Sequence, residues 1–172
     1  MKRLSLAVLS LLIFASCQQQ QKIAFIDNGK VINEFQEKID IEAKYKIKEE
    51  AFKKRTDSIG QAFQLEAQDF QSKANSMPEA KAQEKYAELG QKQQLLQQQI
   101  QFEQQQIQQA FGVEIDSTII KVKNFVKDYG QKNGYTYILG TSEASSSVMY
   151  GTEENDITQI IIDALNADHI KE

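Results

Sequence analysis

The stretch FQLEAQDFQSKANSMPEAKAQEKYAEL, residues 63–89, decides the fold because two long helical segments meet in it. Apolar residues recur at steps of three and four on both sides of Pro78, the single proline of the 172-residue chain. Phe63, Phe70 and Met77 are one heptad apart, which is the spacing of a seam between two packed helices. The pattern predicts two helices that are joined near the proline and pack against each other.

The turn itself is predicted from Asn75, Ser76, Pro78 and Glu79. Asn75 tolerates the left-handed conformation that closes many helices. Ser76 and Glu79 have the spacing of a capping box, and Pro78 falls in the first turn of the next helix, where its missing N–H costs little. Residues 30–130 are therefore expected to form one antiparallel helical hairpin, the arm.

Helical periodicity extends from this turn in both directions. Residues 91–109 are mostly glutamine, a good helix former, and Leu, Ile and Phe interrupt them at helical intervals. At a rise of 1.5 Å per residue, each arm helix is predicted to be about 70 Å long. Gly60, Gly90 and Gly112 lie inside the arm, where they either permit bending or accommodate close contact between the helices.

Short strand-like segments flank the arm. Residues 23–26 (IAFI) precede it, and residues 135–139 (YTYIL) and 148–150 (VMY) follow it. A last helix with one continuous apolar face is predicted near the C-terminus. Residues 18–29, a tether and first strand, together with residues 131–172 form the body. The predicted fold class is α+β, a long coiled-coil hairpin projecting from a small β-strand body.

This body is predicted to need a partner. A core of about 50 residues is marginal without disulfides or a metal site. The chain has one cysteine, so no internal disulfide can form. Three short strands also leave unpaired edges. These features predict oligomerisation through the body.

The first 17 residues are predicted to be a signal peptide. Lys2 and Arg3 precede an apolar run at residues 4–14, which is too short to span a bilayer. The small pair Ala15 and Ser16 directly before Cys17 resembles a lipobox, in which the cysteine is acylated and becomes the mature N-terminus. The alternative is ordinary cleavage nearby, which would leave a free thiol.

Charge and motif content exclude several classes of protein. The formal net charge is −4, and without Lys2 and Arg3 the 18 remaining basic residues face 24 acidic ones, a net charge of −6. Such a surface argues against nucleic acid as a partner. No phosphate-binding loop, nucleophile motif or metal-ligand cluster is present, so neither an enzyme nor a cofactor is expected. His169, the single histidine, is expected to be solvated near the tail.

Two stretches at the ends of the mature chain carry a family resemblance. KIAFIDNGKVINEF at residues 22–35 and GYTYILGTSEASSSVMYGTEENDITQIIIDALN at residues 134–166 resemble the Skp/OmpH family of periplasmic chaperones. The most specific parts are the opening strand-then-helix phrase and the final DITQIIIDAL helix. The coiled-coil middle is generic.

The resemblance implies a homotrimer whose strands form a small central barrel. It also implies three helical arms that enclose a cavity for unfolded outer-membrane β-barrel proteins, held without ATP. On this basis the oligomerisation body would be built by six residues: Ile23, Phe25, Tyr137, Leu139, Val148 and Tyr150. The client cavity would suit side chains that offer donors and acceptors without charge, and its candidates are Gln97, Gln98, Gln105 and Gln106.

The chain departs from the best-known members of that family in two respects: it is acidic overall, and Cys17 predicts a lipid anchor. The expected location is the periplasm, attached to the inner face of the outer membrane, since no acidic residue directly follows Cys17. A competing interpretation is a structural or adaptor lipoprotein whose coiled coil spaces or docks one folded partner. A chaperone binds several unfolded proteins, whereas a spacer binds one folded protein.

Overall fold

The computed structural model describes residues 21–142 and 147–170 of the chain. The predicted signal peptide and its Cys17 lie outside the described residues. The elements, in chain order, are β1 (Ile23–Asp27), α1 (Asn28–Asn33), α2 (Gln36–Ala74), α3 (Glu79–Lys132), β2 (Tyr137–Thr141), one 3₁₀ turn (Glu153–Asn155) and α4 (Thr158–His169). No helix in these ranges is long and apolar enough to cross a membrane.

The two strands pair in parallel. β1 and β2 form a two-stranded sheet in which Ile23 lies opposite Tyr137. Parallel strands cannot be joined by a tight turn and need a long crossover connection. Here α2 and α3 together are that connection, so the arm grows out of the sheet. On the other edge of β1, the Phe25 carbonyl accepts a hydrogen bond from the Ile157 N–H (3.0 Å).

The strands differ from the prediction in two places. β2 begins two residues later than expected because Tyr135 turns back onto the end of α3, where its N–H donates to the Gly130 carbonyl (3.0 Å). The strand predicted at residues 148–150 was wrong, since this segment is irregular backbone with bends. The edge of β1 that it could have joined is occupied by Asp156, which forms an isolated bridge with Phe25.

The body has one small apolar core. Helix α4 packs its apolar face against the inner face of β1, as its periodicity predicts. The buried residues of this core are Ala24, Ile26, Val31, Phe35, Val122, Ile157, Ile161, Ile162 and Leu165. Val122 belongs to α3, so the return helix of the arm is part of the body core as well.

A side chain of α4 fixes the start of the arm. The helix predicted to begin near Lys30 is split at Phe35, which has extended backbone (φ −72°, ψ 122°) and a fully buried ring. Helix α2 has no side-chain cap of its own. Asn166 supplies one, since its Oδ1 accepts from the Gln36 N–H (2.8 Å) and its Nδ2 donates to the Glu34 carbonyl (3.1 Å). The last helix therefore ties the arm to the body.

The chain reverses between Ala74 and Glu79, but the local geometry differs from the prediction. Asn75 is right-handed (φ −68°, ψ −17°) rather than left-handed. The Ser76 hydroxyl donates to the carbonyl of the preceding turn (2.7 Å), so the predicted capping box does not form. Pro78 has extended backbone and directly precedes α3, a position where it needs no N–H.

The two arm helices are unequal, contrary to the prediction of about 70 Å each. With 39 and 54 residues, α2 and α3 are about 58 Å and 81 Å long. The difference arises because α2 starts above the body at the Phe35 break, whereas α3 continues down through the core to the base.

The seam between the helices is well packed only at its ends. Near the body, Tyr45 and Phe111 meet edge to face with ring centroids 5.2 Å apart, and near the turn Phe70 and Tyr86 do so at 4.7 Å. Between these contacts, no residue at positions 46–69 of α2 is buried. The glutamine-rich middle of the arm thus depends on helix propensity and on polar contacts between the helices.

The arm glycines do not serve close helix packing. A Cβ atom built on Gly60, Gly90 or Gly112 meets no atom within 4 Å in the described residues. This argues against the close-contact alternative within one chain, and local bending stays a prediction.

Replacing these three glycines with alanine should stabilise the arm. Each Gly→Ala change in a helix interior is expected to add about 1 kcal/mol, because alanine loses less conformational entropy and meets no steric obstacle here. The expected result is a higher midpoint in thermal unfolding followed by circular dichroism at 222 nm. Gly140→Ala is the matched control, since its Cβ would lie 2.3 Å from the Asn28 amide, and should lower the midpoint. A lower midpoint for the arm variant would contradict the bending interpretation.

Candidate functional site

No group of three or more His, Cys, Asp or Glu side chains in residues 21–142 and 147–170 could hold a metal ion. His169 is not solvated as expected. It is half-buried, edge to face with Phe35 (5.6 Å), and its Nδ1 lies 3.6 Å from the Glu37 carboxylate. The imidazole therefore packs the end of α4 against Phe35, the residue just before α2.

The first candidate surface is the outer face of the small sheet, here called the body face. Ile23 and Phe25 of β1 lie opposite Tyr137 and Leu139 of β2, so these four side chains point to the side away from the core. Ile23, Tyr137 and Leu139 are between 40% and 57% exposed. Parallel sheets normally have both faces covered, so an exposed apolar face indicates an interface.

The irregular segment after β2 extends this face. Met149 and Tyr150 are 90% and 85% exposed, whereas Val148 is half-buried. Gly151 crosses the Phe25 ring so closely that an added Cβ would lie 2.4 Å from it. Val148 and Tyr150 therefore lie in a loop beside the sheet, and not in a strand of it.

The second candidate surface runs along the arm and is here called the arm stripe. On α3, five large side chains are 54–69% exposed. Tyr86 packs edge to face on Phe70, and the other four are Leu95, Phe102, Val113 and Ile120. Their separations of 7, 11 and 7 residues are close to whole numbers of helical turns, so they lie on one face of α3. On α2, Ile47 and Leu65 are similarly exposed and lie five turns apart, again on one face.

The stripe residues lie on the outward side of each helix. Phe102 is nine residues from Phe111 of the seam, and Ile47 is two residues from Tyr45, so both lie about half a turn around their helix from the seam.

Five ion pairs connect the helices in the described residues. Two are Lys85 with Glu66 and Lys121 with Glu37. The other three are Lys44 with Glu114, Arg55 with Glu103, and Lys92 with Glu66. In the last three pairs, each glutamate directly follows a stripe residue in sequence, namely Val113, Phe102 and Leu65 respectively. Each of these stripe residues is therefore displaced by about 100° around its helix from the glutamate that bridges the helices.

The ion pairs shift the pKa values of their carboxylates. A hydrogen bond from Lys92 is the largest cause that lowers the pKa of Glu66, and a hydrogen bond from Lys44 does the same for Glu114. The Tyr45 hydroxyl also donates to Glu114 (2.8 Å), and desolvation followed by this bond raises the pKa of Tyr45. The ionised carboxylates thus bridge the helices where apolar packing is thin.

The four glutamines predicted to line a cavity are exposed but do not share one face. Gln106 follows Phe102 by four residues and extends the arm stripe. Gln98 and Gln105 lie at its border. Gln97 follows Leu95 by two residues, about 200° around the helix, and lies on the other side of the seam.

The sequence analysis did not identify the arm stripe. The available signal was the 7–11–7 spacing, which is displaced by about 110–150° around the helix from the seam positions Ile107, Glu114 and Thr118. Periodicity alone could not tell which of the two apolar rows faces the partner helix, since both repeat with the helical period.

The chain was compared with known proteins. A family model described as "Outer membrane protein (OmpH-like)" matches residues 22–165. A crystal structure of an OmpH-like protein from Caulobacter crescentus, described as a candidate outer membrane chaperone, superimposes with a TM-score of 0.74 at 14% identity and covers 88% of each chain. No curated protein matches significantly. The structural likeness confirms the predicted fold, a long helical hairpin on a small strand-containing body.

The pKa shifts predict that acid weakens the arm. Carboxylates whose pKa is lowered in the folded state stabilise it above their ordinary pKa of 4.5, and this contribution is lost as the pH falls through 4.5 and below. The midpoint of thermal unfolding should therefore fall between pH 6 and pH 3. A Glu66→Gln, Glu114→Gln variant should have a lower midpoint at pH 7 and a shallower decline.

The control for this pH series is a variant with two unpaired arm glutamates changed, Glu50→Gln and Glu84→Gln. It removes the same charge without breaking an inter-helix pair, and it should keep the steep decline of the parent. If the midpoint falls equally with pH in all three proteins, the ion pairs contribute nothing measurable to the stability of the arm.

Proposed function

The chain belongs to the OmpH-like outer membrane protein family, and from that premise we propose that it is a periplasmic holdase chaperone. It binds unfolded outer-membrane β-barrel proteins and prevents their aggregation without ATP. The family resemblance of the two terminal stretches is confirmed by the match over residues 22–165.

The arm stripe is the observation that carries this proposal. Six large apolar side chains stay exposed on the outward faces of the two helices of a hairpin that projects far from its body. Scattered apolar residues on a surface are ordinary, but an aligned row along one face of a helix offers an unfolded chain a continuous contact. Each apolar side chain that a client covers completely contributes about 1.5–3 kcal/mol, so partial cover of several of them gives retention without a tight, sequence-specific site.

The body face supports assembly into a homotrimer. Its four apolar side chains, Ile23, Phe25, Tyr137 and Leu139, cover one side of a two-stranded sheet whose β1 edge is bridged by Asp156. The outer edge of β2 has no strand partner there, so a second copy can bond to it. With three copies joined at the body, the arms surround a central space and the arm stripes line its wall.

Client release follows from the client's own folding. A β-barrel that has folded buries the apolar and backbone groups that the arms held, so it no longer binds the stripe. The glutamine amides supply uncharged donors and acceptors around the apolar row. Acylation of Cys17 would keep this chaperone at the inner face of the outer membrane and raise its effective concentration near the site of assembly.

The proposal is tested by light scattering after gel filtration of residues 18–172, alone and mixed with a urea-unfolded outer-membrane barrel protein. The expected result is a trimer that gains the mass of one client and keeps it soluble. If the oligomer leaves the client to precipitate, the protein is a spacer or adaptor. A monomer would refute the role of the body face.

Removing the arm stripe should abolish retention without changing the oligomer. In a Leu95→Gln, Phe102→Gln, Val113→Gln variant the helix is kept, because glutamine is a good helix former, but the apolar row is lost. Client aggregation, followed by turbidity, should return to the rate without chaperone. The matched control adds Gln97→Leu and Gln108→Leu to this variant, which restores apolar area on the other side of the seam. Rescue by the control would show that total hydrophobicity matters and its position does not.

The glutamines can be tested by their position. Gln106→Glu places a charge within the stripe and should weaken client retention, whereas Gln97→Glu places the same charge on the other side of the seam and should not. The measurement is the fraction of client that stays soluble at fixed chaperone concentration. Equal effects of the two changes would contradict an amide contribution from the stripe.

A further inference from the structure

A groove on one side of the body combines an apolar lining with positive charge. It lies between the last turns of α3 and the start of β2 and has a volume of about 400 Å³. Lys123 and Lys127, about one helical turn apart, belong to its α3 wall, and Tyr135 and Ile138 belong to the other wall. None of the residues that line it in the described part of the chain is acidic.

The charge of this groove is not neutralised by its own chain. Lys123 and Lys127 are exposed, and neither makes an ion pair within residues 21–142 and 147–170. The Lys22 ammonium adds a third positive charge, 4.0 Å from the centroid of the Tyr135 ring. Unpaired positive charges beside an apolar lining indicate a surface that meets negative charge from outside the chain.

The other side of the body carries a segment of opposite charge, residues 149–154, here called the acidic loop. Its 3₁₀ turn packs against β1, on the edge that does not pair with β2. Glu153 and Glu154 of this turn are exposed and form no ion pair in the parts of the chain that the structure describes. Directly before the turn, the side chains of Met149 and Tyr150 are almost fully exposed.

The sheet places the groove and the acidic loop on opposite edges. The acidic loop lies beside β1, and the groove lies beside β2, the other strand of the two-stranded sheet. In a ring of identical copies, one side of each copy meets the opposite side of the next, so two different surfaces come together. A positive groove with an apolar lining and a negative loop with exposed apolar side chains are complementary in charge and in polarity.

Both surfaces border the body face. Tyr137 lines the groove and is also one of the four side chains of that face. On the other side, Gly151 of the acidic loop crosses the Phe25 ring of the same face. A copy that covers the body face therefore brings one of these surfaces close to the other, which selects a second copy of this chain as the partner.

From these observations we propose that the acidic loop of one copy docks in the groove of the next copy. The exposed apolar side chains of the loop cover the lining of the groove, and its two glutamates pair with Lys123 and Lys127. Because the groove is built on the last turns of α3, this contact also holds the base of each arm against the next copy. The inference rests on the proposed assembly at the body and adds to it a contact outside the body face.

Charge reversal tests this contact in residues 18–172, which contain every described element. In a Lys123→Glu, Lys127→Glu variant the groove repels the loop, so the dissociation constant of the oligomer should rise by at least about tenfold. A Glu153→Lys, Glu154→Lys variant, which changes only exposed side chains, should weaken the oligomer similarly. All four changes in one chain restore opposite charges and should return the dissociation constant close to that of the parent. The measurement is sedimentation equilibrium, with circular dichroism at 222 nm to show that each variant is folded.

The matched control is Lys46→Glu, Lys54→Glu, which makes the same change of net charge at exposed positions on the arm. It should associate as the parent does, and an equal loss in this control would assign the effect to net charge and overturn the contact. Weakening in both charge-reversal variants without recovery in the combined variant would overturn it as well. A monomeric parent would refute the trimer and this contact together, whereas a trimer that is insensitive to all of these changes would refute this contact alone. Variants that are assembled should still keep a client soluble, so the chaperone proposal fails or holds independently.

Discussion

The parallel pairing of β1 with β2 is the constraint on which the rest of the molecule depends. Two strands separated by more than a hundred residues must lie side by side and point the same way. Everything between them has to leave the sheet at Asp27 and return at Tyr137. A helical hairpin meets this requirement, because its two ends are close together while its length is free. The body thus fixes the ends of the arm, and the arm can be long without loosening the body.

The arm is joined to this frame at few points. Asn166 caps α2, Phe35 anchors the break before it, and Val122 brings α3 into the core. Beyond Tyr45 the helices are held mainly by ion pairs and their own propensity until Phe70. In such an arm the two helices are held together only weakly along their middle. A Cβ atom at any of its three glycines would meet no atom within 4 Å in the described residues. These properties suit a wall that has to adapt to clients of different shape.

A thin seam also explains why apolar residues remain available on the arm. If Leu95, Phe102 and Val113 lay in the seam, the helices would pack tightly and present only polar side chains. Phe102 and Val113 lie instead one residue before bridging glutamates, and the whole row lies on the outward side of α3. Apolar surface is thereby separated into three places: the core that folds the body, the body face and the arm stripe.

The sequence by itself determined the elements and the kind of protein. Heptad spacing around Pro78 placed the reversal, and alternation and helical periodicity placed the first two strands and the last helix, because these patterns arise from local geometry. It did not determine that residues 148–150 stay out of the sheet, that Phe35 breaks the first helix, or that Asn166 caps the second. Each depends on which distant segment occupies an edge or supplies a hydrogen bond. Tertiary structure alone also separated the seam from the arm stripe, because both rows share one helical period and only the position of the partner helix distinguishes them.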